Sequence, residues 1–178
     1  MDFQRIYEEH FPFVWKSLRR LGVREVDAAD AAQEVFLVAF RKLHEFEGRS
    51  RLSTWLFGIC LRVARDRGRL AHVRREVAGD DELLDRVEGS SDVSAEAERH
   101  EAAALLERIL ADLDFDQRAV FSLFELEGLG GDEIAELLQL PVGTVYSRLR
   151  LAREAFQRSV SRLQARERFA LNPGAQQP

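Results

Sequence analysis

The chain has 178 residues, 46% of them hydrophobic and only four of them proline, enough to bury one large or two small cores and leave long stretches free to be helical. A single cysteine, Cys60, excludes an intramolecular disulfide framework and fits a reducing cytoplasm. The net charge of −5 argues against a polyanion binder until it is divided along the sequence. Residues 49–75 carry eight arginines against Asp66 alone, whereas residues 76–116 hold three arginines and fourteen acids. Residues 144–168 again carry seven arginines, against Glu154 and Glu167. The local field, rather than the total, decides where a polyanion can sit. Residues 1–10 lack the basic-then-apolar pattern of a secretory signal, and no apolar run approaches a membrane span. A soluble, cytoplasmic protein is expected.

In chain order, Phe3, Ile6, Tyr7, Phe11, Val14 and Leu18 recur at helical spacing, with Pro12 a point of break or kink. Residues 27–46 predict a second, longer helix and residues 53–69 a third, with Gly48 marking the turn between them. The acidic stretch 76–98, with its glycines and serines, reads as a flexible linker. From Arg99 helical spacing returns in Ala103, Leu106, Ile109, Leu110 and Leu113, then Val120, Phe121 and Phe124. A last helix runs to about Arg168, and residues 169–178 read as a disordered tail. No strand is predicted. The expected fold is all-α: domains at 1–75 and 99–168, joined by the 76–98 linker.

The third helix separates into faces at about 100° per residue. Leu52, Leu56, Ile59, Val63 and Leu70 fall in one arc and are expected to be buried. Arg51, Trp55, Gly58, Arg62, Arg65 and Arg69 fall in another, and Cys60 projects from neither. Arginines can neutralise phosphates while an indole offers a platform for an unstacked base. The alternative makes Trp55 a boundary core residue and the arginines merely solubilising. On the second helix Asp27, Asp30, Gln33 and Glu34 share one side, with Leu37 and Arg41 close to it. Such a face suits docking onto an arginine-rich surface, although acids early in a helix also favour its dipole without any partner.

Residues 132–154, DEIAELLQLPVGTVYSRLRLARE, carry the strongest signal. Ile134, Ala135, Leu137 and Leu138 give a first short helix its apolar face, and Pro141 and Gly143 allow a sharp turn and restart. The second helix turns Val145, Leu149 and Ala152 inward and Tyr146, Ser147, Arg148, Arg150 and Arg153 outward. That is the design of a helix-turn-helix, whose second helix enters a major groove.

The blocks DAADAAQEVFLVAFRKLHEF, GRSRLSTWLFGICLRVARDRGR and DQRAVFSLFELEGLGGDEIAELLQLPVGTVYSRLRLARE, in that order, resemble those of a bacterial extracytoplasmic-function (ECF) sigma factor. The resemblance implies a non-enzymatic subunit that binds core RNA polymerase, through its clamp helices and flap, and promoter DNA. It implies polymerase contacts at Asp30, Gln33, Glu34, Leu37 and Arg41. Recognition and melting of the −10 element would involve Arg49, Arg51, Leu52, Trp55, Arg62, Arg65 and Arg69. Reading of the −35 element would fall to Thr144, Tyr146, Ser147, Arg148 and Arg150, with Arg153 on phosphate. An anti-sigma factor as inhibitor is implied as well.

Several positions depart from the family pattern. Leu52 stands where an aromatic is common, Arg62 where Asn is frequent and Gly58 where a basic residue is usual. Gly130-Gly131 replaces a Ser-aromatic pair, which predicts a looser entry to the first helix of the motif, and Tyr146 replaces a basic residue. The four histidines lack ligand spacing, so neither metal nor cofactor is expected. The rival reading is a stand-alone helix-turn-helix regulator with a sensing or dimerising amino domain; a basic-aromatic helix is of no use to an effector pocket and speaks against it.

Overall fold

The computed structural model describes residues 2–78 and 95–171 of the chain. The central part of the expected linker, residues 79–94, and the end of the expected tail, residues 172–178, lie outside the described residues. All regular structure among the described residues is helical: α1 (Phe3–Arg20), α2 (Glu25–Lys42), α3 (Leu52–Ala78), α4 (Ala95–Ala111), α5 (Phe115–Phe121), α6 (Gly131–Leu138) and α7 (Val142–Leu171). Contacts divide the chain into two units, Met1–Glu107 and Arg108–Pro178.

In the first unit α1, α2 and α3 pack against one another in all three pairings. The Asp2 carboxylate caps α1 by accepting from the Gln4 N–H at 3.1 Å, and Arg19 and Arg20 complement the dipole at its other end. The break anticipated at Pro12 does not occur. Pro12 sits on the exposed side, where the carbonyl it leaves unpaired can take water. Helix α2 presents Ala28, Ala31, Ala32, Val35, Phe36 and Ala39 to the core, and its small residues let the neighbouring helices approach closely. The Phe36 ring is 4.7 Å from Tyr7 and 6.4 Å from Phe3 and from Phe11, centroid to centroid. Gly48, at φ +72°, supplies the left-handed turn before α3.

Helix α3 corrects the face assignment. Leu56, Ile59 and Val63 are buried as expected, but Leu52 is half-buried and Leu70 is 62% exposed. These two lie at the edges of the covered segment, and α3 runs on to Ala78 rather than stopping near Arg69. Cys60 is fully buried, beside Phe57, Leu61 and Ala64. A helix wedged against two others buries a wider arc than a surface helix, and Cys60 falls inside it.

In the second unit Asp114 caps α5, accepting from the Gln117 N–H at 2.9 Å, and one π-type turn (Ser122–Leu126) follows. Helix α7 packs against both α5 and α6, burying Val145, Leu149, Ala152 and Ala155, with Phe121 stacked on Phe156 at 4.9 Å. Past its midpoint the buried Ser159 hydroxyl donates to Asp112 at 2.6 Å, and Arg162 pairs with the same carboxylate at 2.9 Å. Helix continues through residues 169–171, which the sequence assigned to a disordered tail.

Candidate nucleic-acid interface

Three surfaces gather the residues singled out in the sequence. On α2, Asp30, Gln33, Glu34, Leu37 and Arg41 are all exposed. Val26 (70% exposed), Leu37 (58%) and Phe40 (62%) join them, so that positions 26, 30, 33, 37 and 40–41 form one stripe along the helix. Phe40 was missed in the sequence because its spacing also suits the core. The Glu34 carboxylate accepts from the Arg67 Nε and Nη2 at 3.2 and 3.1 Å, which ties the acidic side of α2 to α3.

The second surface is the start and outer face of α3. Arg62, Arg65 and Arg69 are exposed on successive turns, Arg51 is exposed before the first turn, and Gly58 is half-buried. Trp55 belongs to both readings offered for it. It is half-buried, with its ring centroid 5.4 Å from that of Phe46 at an interplanar angle of 48°. One side of the indole thus packs on the turn after α2 while part of it reaches solvent. Arg49, in the same turn, pairs with Glu47.

The third surface is the helix-turn-helix. Helix α6 ends with Gln139 in the left-handed region (φ 54°, ψ 49°), and the Leu140 N–H closes the end by donating to the Ala135 carbonyl at 2.9 Å. The Thr144 and Val145 N–H groups then donate to the Pro141 carbonyl, starting α7 at once. Tyr146, Ser147 and Arg150 face outward, Thr144 is half-buried, and the Ser147 hydroxyl donates to the Thr144 carbonyl at 3.0 Å. Three arginines in the first half of this helix are held by carboxylates of the same unit, as Arg162 is further along. Arg148, half-buried, lies 2.7 Å from Asp116; Arg150 lies 2.5 Å from Glu154; Arg153 lies 2.6 Å from Glu125 and 5.2 Å over the Phe124 ring. Arg148 is therefore directed toward α5, where the sequence placed it outward with its neighbours.

The entry to α6 is tighter than the paired glycines predict. The Glu133 carboxylate turns back to accept from the Gly130 N–H at 2.8 Å, and Gly131 is buried beneath the Tyr146 ring. Among the described residues no group of three or more His, Cys, Asp or Glu side chains could hold a metal ion, and no helix is long and apolar enough to cross a membrane.

Comparison with known proteins finds family matches in both helical units. The Sigma-70 region 2 family matches residues 6–76, and the family described as Sigma-70, region 4 matches residues 103–156. The chain is 35% identical over 144 residues to the RNA polymerase sigma-H factor of Pseudomonas aeruginosa, covering 77% of this chain and 75% of that protein. It is 34% identical over 148 residues to the ECF RNA polymerase sigma-E factor of Escherichia coli, with shares of 77% and 75%. Among solved structures it is similar to CnrH in complex with the cytosolic domain of CnrY, with a TM-score of 0.63, 26% identity and coverage of 89% of this chain and 87% of that one. The sigma factor RpoE of Bartonella quintana, solved with the anti-sigma factor NepR, shares the fold at a TM-score of 0.68 and 22% identity, over 90% and 97% of the two chains.

Proposed function

The chain belongs to the ECF sigma factors of bacterial RNA polymerase, and from that premise we propose which of its surfaces carries each step of initiation. As a sigma factor it binds core polymerase, directs it to particular promoters and helps open the DNA. Residues 1–75 act as the polymerase-binding and −10 domain, residues 99–168 as the −35 domain, and residues 76–98 as the connection between them.

The observation that carries this division is the α2 stripe. Leu37 and Phe40 are large apolar side chains more than half exposed, and Asp30, Gln33 and Arg41 flank them. An apolar strip rimmed by polar groups is what a partner helix would cover. The clamp helices of the polymerase are the assigned partner, with the flap engaging the second domain. The outer face of α3 then meets the −10 element: Arg51, Arg62, Arg65 and Arg69 lie along phosphates, while Arg49, Leu52 and Trp55 border the captured base. Tyr146, Ser147 and Arg150 face the −35 groove, with Thr144 and Arg153 at its edge. Arg148 reaches a base only by leaving Asp116.

Nothing in these roles requires covalent chemistry, and we assign the protein to the cytoplasm as a non-enzymatic factor. An anti-sigma factor as inhibitor follows from the same surfaces. Leu37, Phe40, Val142 and Tyr146 are exposed positions that such a protein would cover, and CnrH was solved with a partner domain bound. A stand-alone regulator is not favoured, because it would leave the α2 stripe and the α3 arginines without a task. Run-off transcription with purified core enzyme tests the proposal. Promoter-dependent transcripts are expected, and their absence on every genomic template would sink it.

A further inference from the structure

Gly131, at the start of α6, and Tyr146, on α7, meet in space. A methyl group on Gly131 would lie 2.6 Å from the Tyr146 hydroxyl oxygen, 2.7 Å from Cζ and 2.9 Å from Cε2. Contacts this short are essentially never seen, and the hydroxyl oxygen and two ring carbons are all involved, so the phenol would have to move. Gly131 is itself buried, while Tyr146 remains 53% exposed on the outward side of α7. The ring therefore rests its hydroxyl end on the first turn of α6 and shows its remaining surface to the side on which a groove would lie. Helix propensity favours alanine over glycine at a helical position, so the glycine here works against α6 as an isolated helix. What it gains is the space in which the phenol lies.

We propose that Gly131 is a positioning residue for promoter choice. It fixes the Tyr146 ring against α6, so that the ring's exposed surface reads one −35 base pair by apolar contact with a thymine methyl. The inference rests on the sigma-factor reading above. Its chemistry follows from the placement: with the hydroxyl end turned onto α6, the exposed part of the residue is chiefly aromatic carbon. In the major groove, the C5-methyl of thymine is the base-edge group that rewards apolar contact. A ring held in one place also loses less freedom on binding than a mobile one.

The test is transcription by purified core polymerase and the full chain on templates with a randomised −35 element. If the wild-type protein gives no promoter-dependent product, the sigma-factor reading fails before this one is reached. If it does, a preference for thymine is expected at one position. That preference should fall on the order of tenfold in Tyr146→Ala and survive in Tyr146→Phe. Gly131→Ala should lower it by a similar factor, yet change nothing further in the Tyr146→Ala background. Replacing that thymine with deoxyuridine, which lacks only the methyl, should reproduce the loss in wild type and have no effect on Tyr146→Ala. Should Gly131→Ala fail to fold, the Gly131→Ala/Tyr146→Ala double variant, which removes the clash, should fold and match Tyr146→Ala. Unchanged preference in Tyr146→Ala or in folded Gly131→Ala would overturn the proposal, and so would an equal loss on every template or indifference to the thymine methyl.

Discussion

Arg148 and Arg150 stand two residues apart and differ in what binding asks of them. Arg150 is exposed and paired with Glu154, one turn further along the same helix, a weak interaction in water. Arg150→Ala is expected to weaken promoter binding by about 1–3 kcal/mol if the guanidinium contacts a base edge. Discrimination would then drop at one −35 position, which competition between single-base promoter variants would reveal. Arg148 must first give up Asp116. Asp116→Asn should therefore tighten promoter binding severalfold at low salt, and the gain should vanish in an Arg148→Ala background. Trp55 has a split character that mutation can resolve. With its ring on Phe46 and part of it in solvent, Trp55→Ala should impair DNA opening, read by permanganate reactivity, more than polymerase binding. Cys60 has a simpler fate: burial pushes its thiol well above the ordinary range and leaves it protonated. Alkylating reagents should modify it only once the domain is unfolded.

At the scale of elements, helical periodicity placed helix over most of the described residues, but neither the helix ends nor the break between α4 and α5 could be read from it. The spacing of Leu56, Ile59 and Val63 was sufficient to orient α3, because burial against two helices obeys the same period that the sequence displays. Leu52 and Leu70 share that arc yet are only half-buried and exposed, respectively, since periodicity cannot say where the covering helices stop. The inward turn of Val145, Leu149 and Ala152 was legible in the same way, whereas the return of Arg148 to Asp116 was not. Such a pair joins residues 116 and 148, and nothing local encodes it. The contact of Tyr146 with Gly131 was hidden for the same reason. Leu149 is only 1% exposed, in the helix that packs on both α5 and α6. Leu149→Ala should cost about 2–5 kcal/mol of stability, measured by urea unfolding.

For the molecule as a whole, charge segregation is the governing fact. With a net charge of −5, the free chain should hold promoter DNA poorly at physiological salt, since each arginine-bearing surface offers only a few phosphate contacts. Bound to core polymerase, the two surfaces proposed to face DNA would act on one promoter at high effective concentration. A mobility shift should therefore appear with the holoenzyme and be weak or missing with the sigma chain alone. A tight shift by the free chain would instead revive the stand-alone regulator.

Gln139 is the one non-glycine residue with positive φ among the described residues, and it sits at the hinge of the helix-turn-helix. A long side chain in that backbone state costs about 1 kcal/mol relative to glycine. The domain consequently carries a small built-in tension at its corner. Exchanging this glutamine for glycine offers a route to a more heat-tolerant protein in which the outward side chains of α7 are untouched.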